Sequence, residues 1–124
     1  MKILVVDDSL VMRRIVASSA ALLGADCTGA GDGAQAIAQL EADPAGFQLV
    51  CLDWNMPVMG GLEFLHTLRN NPRWKDLPVL MITTEGSRDS IIAALKAGAS
   101  DYLTKPFNQQ DLQSKMIDCL GLGA

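Results

Sequence analysis

The sequence predicts a doubly wound α/β domain: a five-stranded parallel sheet flanked by five helices lying on both of its faces. Three observations carry this. Short apolar runs alternate with helix-like segments along all 124 residues. The runs are apolar at successive rather than alternate positions, as in strands covered on both sides. Five strand–helix units fill the length, and right-handed crossovers between parallel strands put helices on both faces.

Ile3 to Val6 is the first strand, cut off by Asp7 and Asp8. The first helix follows, with Met12, Ile15, Val16 and Leu23 near one stripe and Gly24 where it should stop. Asp26 to Ala30, "DCTGA", is the least patterned strand. Asp32 with Gln35 three residues on has the form of a capping box, opening a helix with Ala34, Ile37 and Leu40 on one side. Leu49 to Leu52 is the third strand, followed by a helix marked by Leu62, Leu65 and Leu68. Val79 to Ile82 is the fourth; Ser87 can cap a helix over Asp89 to Ala97, which Gly98 ends. Ser100 to Thr104 is the fifth, and Asn108 can cap a last helix carrying Leu112, Met116 and Leu120.

The bulk numbers bound the function. Residues 1–124 read as one domain with no output domain, 49% hydrophobic and 19% charged. A chain of this size buries about 65–70% of the surface its unfolded form exposes, enough to fold unaided. Ten basic against fourteen acidic residues give a net charge of −4, which opposes binding to nucleic acid. Cys27, Cys51 and Cys119 form neither a disulfide framework nor a zinc spacing, so reduced thiols are expected. No run approaches the ~18 apolar residues of a membrane span, and the start has no signal-peptide pattern. A soluble, cytoplasmic protein is the expectation.

In doubly wound sheets, ligands bind beyond the carboxyl ends of the strands. Asp7 and Asp8 follow the first strand, Asp53 the third, Thr83, Thr84 and Glu85 the fourth, Lys105 and Pro106 the fifth. Asp7 and Asp8 would also suit a helix start, but Ser9 is already an adequate cap. Two acids facing a third repel by about 4 kcal/mol per pair at ~4 Å and an effective dielectric near 20. A divalent cation removes that repulsion. Few oxygen ligands in a site open to water suit Mg²⁺. Thr83 alone says little, because Thr is a common strand former. Lys105 offers an ammonium suited to phosphate, and the bond to Pro106 is one of the few that can be cis. With the three carboxylates it leaves a formal charge of −2, which one Mg²⁺ cancels; an acyl phosphate on Asp53 would then restore about one negative charge.

Other chemistries fail on residues. "GAGDGA" at Gly29 to Ala34 follows the second strand and lacks the last glycine of a dinucleotide loop, and GxxxxGK[ST] is absent. His66, the single histidine, falls within the third helix, away from the strand ends, so no hydrolase triad assembles.

The acid pair Asp7-Asp8, "DWNMP" around Asp53, "ITTE" with Thr83 and Glu85, and "KPF" from Lys105 resemble the receiver domain of two-component response regulators. The resemblance runs from Lys2 to about Leu120 and is strongest to single-domain chemotaxis regulators. It implies the flavodoxin-like strand order 2-1-3-4-5, known for the family rather than read from the residues. It implies that Asp53 accepts a phosphoryl group from a phosphohistidine on a CheA-like histidine kinase. Asp8, Asp53 and the Asn55 carbonyl would hold Mg²⁺, with Asp7 acting through water. Thr83 and Lys105 would bind the phosphoryl oxygens, and Asn55 and Glu85 would set the rate of dephosphorylation. Thr83 drawn inward would let Tyr102 turn from exposed to buried, changing an output face of the fourth helix, fifth strand and fifth helix that includes Ile91, Leu95, Tyr102 and Lys115.

The implied partners are the kinase, a downstream protein such as the flagellar motor switch, and a phosphatase, with the chain itself a monomer. Such a protein is a switch rather than an enzyme, although it catalyses its own phosphotransfer and slow autodephosphorylation. A phosphate shuttle or sink is the alternative; a small aspartyl-phosphate phosphatase fits less well, since Asn55 stands where that chemistry needs an acid. Two departures stand out. Gly60 replaces the Asp of Pro-x-Met-Asp-Gly, depriving the third helix of an acidic start, and Thr84 is bulkier than the usual Ala or Gly.

Overall fold

In the computed structural model, which describes residues 1–43 and 46–122, the elements alternate strictly. They are β1 (Lys2–Val6), α1 (Leu10–Leu22), β2 (Asp26–Ala30), α2 (Gly33–Ala42), β3 (Leu49–Leu52), α3 (Gly61–Arg69), β4 (Val79–Thr83), α4 (Arg88–Ala97), β5 (Asp101–Thr104) and α5 (Gln109–Leu120). All neighbouring strands are parallel, in the order β2-β1-β3-β4-β5. The doubly wound fold and the strand order both match expectation.

The apolar runs are buried on both sides because successive side chains enter different cores. Leu4, Val6, Val50, Leu52 and Met81 face α2, α3 and α4, packing with Leu40, Phe64, Leu65 and Leu68. Ile3, Val5, Leu49, Cys51 and Leu80 face α1 and α5, packing with Val16, Ala20, Leu112 and Met116. Each such side chain contributes about 1.5–3 kcal/mol of transfer free energy. "DCTGA" is an edge strand in which only Ala30 is fully buried, hence its weak pattern.

Helix boundaries follow the capping chemistry. Ser9, Asp32, Ser87 and Asn108 each accept a hydrogen bond from the backbone N–H three residues on. Gln35 completes its box one residue early, taking the Gly31 N–H at 2.8 Å. Gly24 and Gly98 end their helices with φ of +82° and +113°.

Some expectations need correction. Ile15 is 43% exposed, because the inward row of α1 runs through Met12, Val16, Ala20 and Leu23. Ala34 is likewise exposed; Ala36, Ile37 and Leu40 face the core. β1 begins at Lys2, β4 extends to Thr83, and α4 starts at Arg88. β5 begins at Asp101, although Ser100 still exchanges bonds with Val79 through its N–H and hydroxyl.

Candidate functional site

Strand register brings the sequence-distant acids together. Val6 lies opposite both Ala30 and Leu52, so β1, β2 and β3 end level. The Asp7 N–H then donates to the Ala30 carbonyl at 3.0 Å and the Asp53 N–H to the Val6 carbonyl at 2.9 Å. One carboxylate oxygen from each of Asp7, Asp8 and Asp53 falls within 4.8 Å of the others. Asp7 and Asp53 are buried, while Asp8 is exposed.

Across the cleft, Thr83 pairs with Thr104 at the end of the β4–β5 ladder, and the Lys105 N–H donates to the Thr83 carbonyl at 2.8 Å. The bond to Pro106 is cis, and the Lys105 ammonium points into the cleft. Nζ lies 2.8 Å from Asp7 Oδ2 and 3.4 Å from Asp53 Oδ2. These side chains are only 5–13% exposed, so solvent screens the contacts weakly. The other Asp53 oxygen accepts the Trp54 N–H at 2.7 Å. Thr83 is fully buried, its hydroxyl oxygen accepting the Glu85 N–H at 3.3 Å.

Glu85 is gripped from two sides. The Asn55 amide donates to its carboxylate at 3.1 Å, and the Tyr102 hydroxyl donates to its carbonyl. Tyr102 is therefore buried, already in the inward position. Burial, then the Glu85 and Asp53 carboxylates, hold its phenol above the ordinary value of 10.0. On the proposed output face Ile91 is half-buried, Leu95 is 45% exposed and Lys115 pairs with Asp101 at 3.0 Å. Thr84 is exposed beside the buried Thr83, and His66 is exposed on α3.

Next to Asp8 opens a cleft of about 610 Å³ bordered by Trp54, Asn55, Met56, Pro57 and Gly60. Gly60 is the N-cap of α3 and, lacking a side chain, makes no capping bond; Glu63 supplies an acid to the first turn nonetheless. Between Pro57 and Met59 the chain makes a three-residue turn, with Met59 N–H donating to the Pro57 carbonyl at 2.7 Å and Val58 at φ +66°.

Sequence reasoning overlooked three contributors. Gly61 lies against the Asp53 carbonyl, Val58 occupies a left-handed turn position, and Arg13 donates to the Asp7 carbonyl at 2.7 Å. For Gly61 the signal was the doubled glycine at a helix start; for the others a single sequence offers none.

The donor set suits a small hard cation: oxygen ligands from three carboxylates, one exposed, beside an open cleft. The fold and this acidic edge define a class, the doubly wound α/β domains whose site is an acidic cluster at the strand ends. The chain matches the response regulator receiver domain over residues 3–117 and belongs to that family. It is 44% identical over 122 residues to chemotaxis protein CheY1 of Helicobacter pylori, covering 98% of each chain. It is 40% identical to the chemotaxis protein CheY homolog of Campylobacter jejuni over 124 residues, 100% of this chain and 95% of that one. Among solved structures, chemotaxis protein CheY4 of Vibrio cholerae superposes with a TM-score of 0.87 at 36% identity, covering 96% of this chain and 98% of that one. The chain is thus a CheY-like response regulator. Receiver domains bind Mg²⁺ at an acidic pocket, and CheY-like regulators take phosphate from a histidine kinase and act on a downstream target. No helix among the described residues is long and apolar enough to cross a membrane.

Proposed function

We propose that this chain is a single-domain chemotaxis response regulator whose Asp53 accepts a phosphoryl group from a CheA-like histidine kinase. The observation that carries the reading is the Lys105 ammonium set between Asp7 and Asp53, beside a third carboxylate. In the transfer, a carboxylate oxygen of Asp53 attacks phosphorus in line. An O–P bond forms, the P–N bond breaks, and its electron pair returns to the donor imidazole, which takes up a proton.

Asp8, Asp53 and the Asn55 carbonyl would hold Mg²⁺ directly, with Asp7 reaching it through water. When bound, the ion would offset negative charge on the transferring group. Lys105 can exchange its long contact to Asp53 for a phosphoryl oxygen. The Thr83 hydroxyl accepts from Glu85 and keeps its own proton to donate to another. Asn55 and Glu85, bonded to each other at the cleft mouth, stand where water would approach, which suits a role in setting the dephosphorylation rate.

Drawing Thr83 toward the phosphoryl group would favour the inward Tyr102 and so the face of Ile91, Leu95, Tyr102 and Lys115. A downstream protein, the flagellar motor switch being the candidate that chemotaxis relatives suggest, would read that face on a monomer.

The test is incubation with Mg²⁺ and acetyl phosphate. Wild type should gain a hydroxylamine-sensitive phosphate that Asp53→Asn does not. Equal labelling of the variant, or none of wild type by either acetyl phosphate or a kinase, overturns the proposal.

A further inference from the structure

We propose that Arg13 is a positioning residue of the acidic cleft, holding the Asp7–Asp8 turn in the shape a divalent cation requires. Asp7 is fixed at every polar atom. Its N–H donates to Ala30 at 3.0 Å, its Oδ1 accepts the Ser9 N–H at 2.9 Å, its Oδ2 meets Lys105 at 2.8 Å, and its carbonyl accepts the Arg13 guanidinium at 2.7 Å. The exposed Asp8 carboxylate takes no such bond among the described residues. Its placement follows from the peptide that joins it to Asp7, and the carbonyl of that peptide is the one Arg13 holds.

Helix geometry explains how Arg13 gets there. Side chains lean toward the helix N-terminus, so a residue in the first turns of α1 can reach back over the preceding loop. A second feature accommodates it. Gly29 lies inside β2, where a glycine weakens a strand and often marks a close approach. A Cβ there would stand 3.2 Å from Arg13 Cδ and 3.3 Å from Nε. The stem is pinned at both ends, by the helix and by Asp7, so the bare edge at Gly29 is its seat.

The inference rests on the Mg²⁺ reading and makes a prediction opposite in sign to simple electrostatics. Removing a positive charge beside a cation site should tighten binding, whereas removing a strut should weaken it. Outer groups that orient metal ligands typically contribute about 10–100-fold to affinity.

Binding of Mn²⁺ to the full chain, followed by the paramagnetic resonance of the free ion and competed with Mg²⁺, separates the two. Arg13→Met keeps the stem without the donor or the charge and should weaken binding by about tenfold, the lower end of that range. Arg13→Lys should fall between it and wild type. Both melting temperatures are recorded in EDTA, so that loss of fold is not read as loss of affinity. Unchanged or tighter binding by folded Arg13→Met overturns the proposal. Failure of wild type to bind overturns the metal reading beneath it. Should Arg13→Met not fold, Gly29→Val carries the test, since a Cβ there already stands 3.2 Å from Arg13 Cδ and the two added methyls crowd the stem's seat while leaving every charge; it too should bind more weakly, and unchanged affinity overturns the proposal.

Discussion

A Cβ on Gly61 would stand 2.3 Å from the carbonyl oxygen of Asp53 and 2.9 Å from the Trp54 Cα. Both obstacles are backbone, so no rotamer change relieves them. The same approach lets the Gly61 N–H donate to the Trp54 carbonyl at 2.9 Å, tying the start of α3 to the residue that follows the acid. Gly61→Ala should destabilise the fold by about 1–3 kcal/mol, the usual range for overpacking. It should also slow phosphorylation of the fraction that remains folded. Urea unfolding checks the first part, and wild-type stability would refute the contact.

At Val58 the expected sign is reversed. A β-branched residue at φ +66° is strained, and such positions cost about 1–3 kcal/mol. The side chain is 83% exposed, so burial returns little. Glycine takes a positive φ without a Cβ clash, and Val58→Gly, even with its larger unfolded-state entropy, should raise stability by about 1 kcal/mol. A variant no more stable than wild type in urea would show that the left-handed turn is not kept in solution.

Most of the architecture was legible because parallel strands display their carboxyl ends along one edge, so the residues after each apolar run had to converge. Asp7, Asp53, Thr83 and Lys105 are brought together for that reason. Ile15 and Ala34 were misplaced because a stripe counted from a few apolar residues can start one position off, and small residues such as Ala20 and Ala36 that face the core carry little hydrophobic signal. Arg13 was invisible for another reason: its partner is a backbone carbonyl, and every residue has one. The inward Tyr102 depends on the Glu85 carbonyl and on loop geometry, neither of which leaves a trace in residue type.

The cysteines yield an alkaline prediction. Burial first, with Asp26 beside Cys27 and Asp101 and Asp118 beside Cys119, pushes both thiols from 9.0 up to about 11. A raised folded-state pKa stabilises the fold below pH 9, and that contribution is lost as pH climbs from 9 through about 11. Melting temperature should therefore fall across this window, less steeply in a Cys27→Ser, Cys119→Ser protein. At pH 8 the native thiols should react with iodoacetamide on the order of a hundredfold more slowly than free thiols, in line with the smaller thiolate fraction. Rapid native labelling would contradict it.

Tyr102 is the single tyrosine of the chain, so ultraviolet titration of phenolate reports on this residue alone. Its hydroxyl donates to the Glu85 carbonyl, and burial, Glu85 and Asp53 all disfavour the phenolate. The midpoint should lie above 10.0, and the stability tied to the raised value should be present below that pH and lost above it. Since Asp53 is among the causes, its charge should be readable at Tyr102. Asp53→Asn should lower the midpoint, Mg²⁺ should lower it in wild type, and a stable phosphoryl mimic on Asp53, adding about one negative charge, should raise it. An ordinary phenol value in wild type, unmoved by Asp53→Asn, would mean that the tyrosine faces solvent in the resting protein and that the inward position is reached only after phosphorylation.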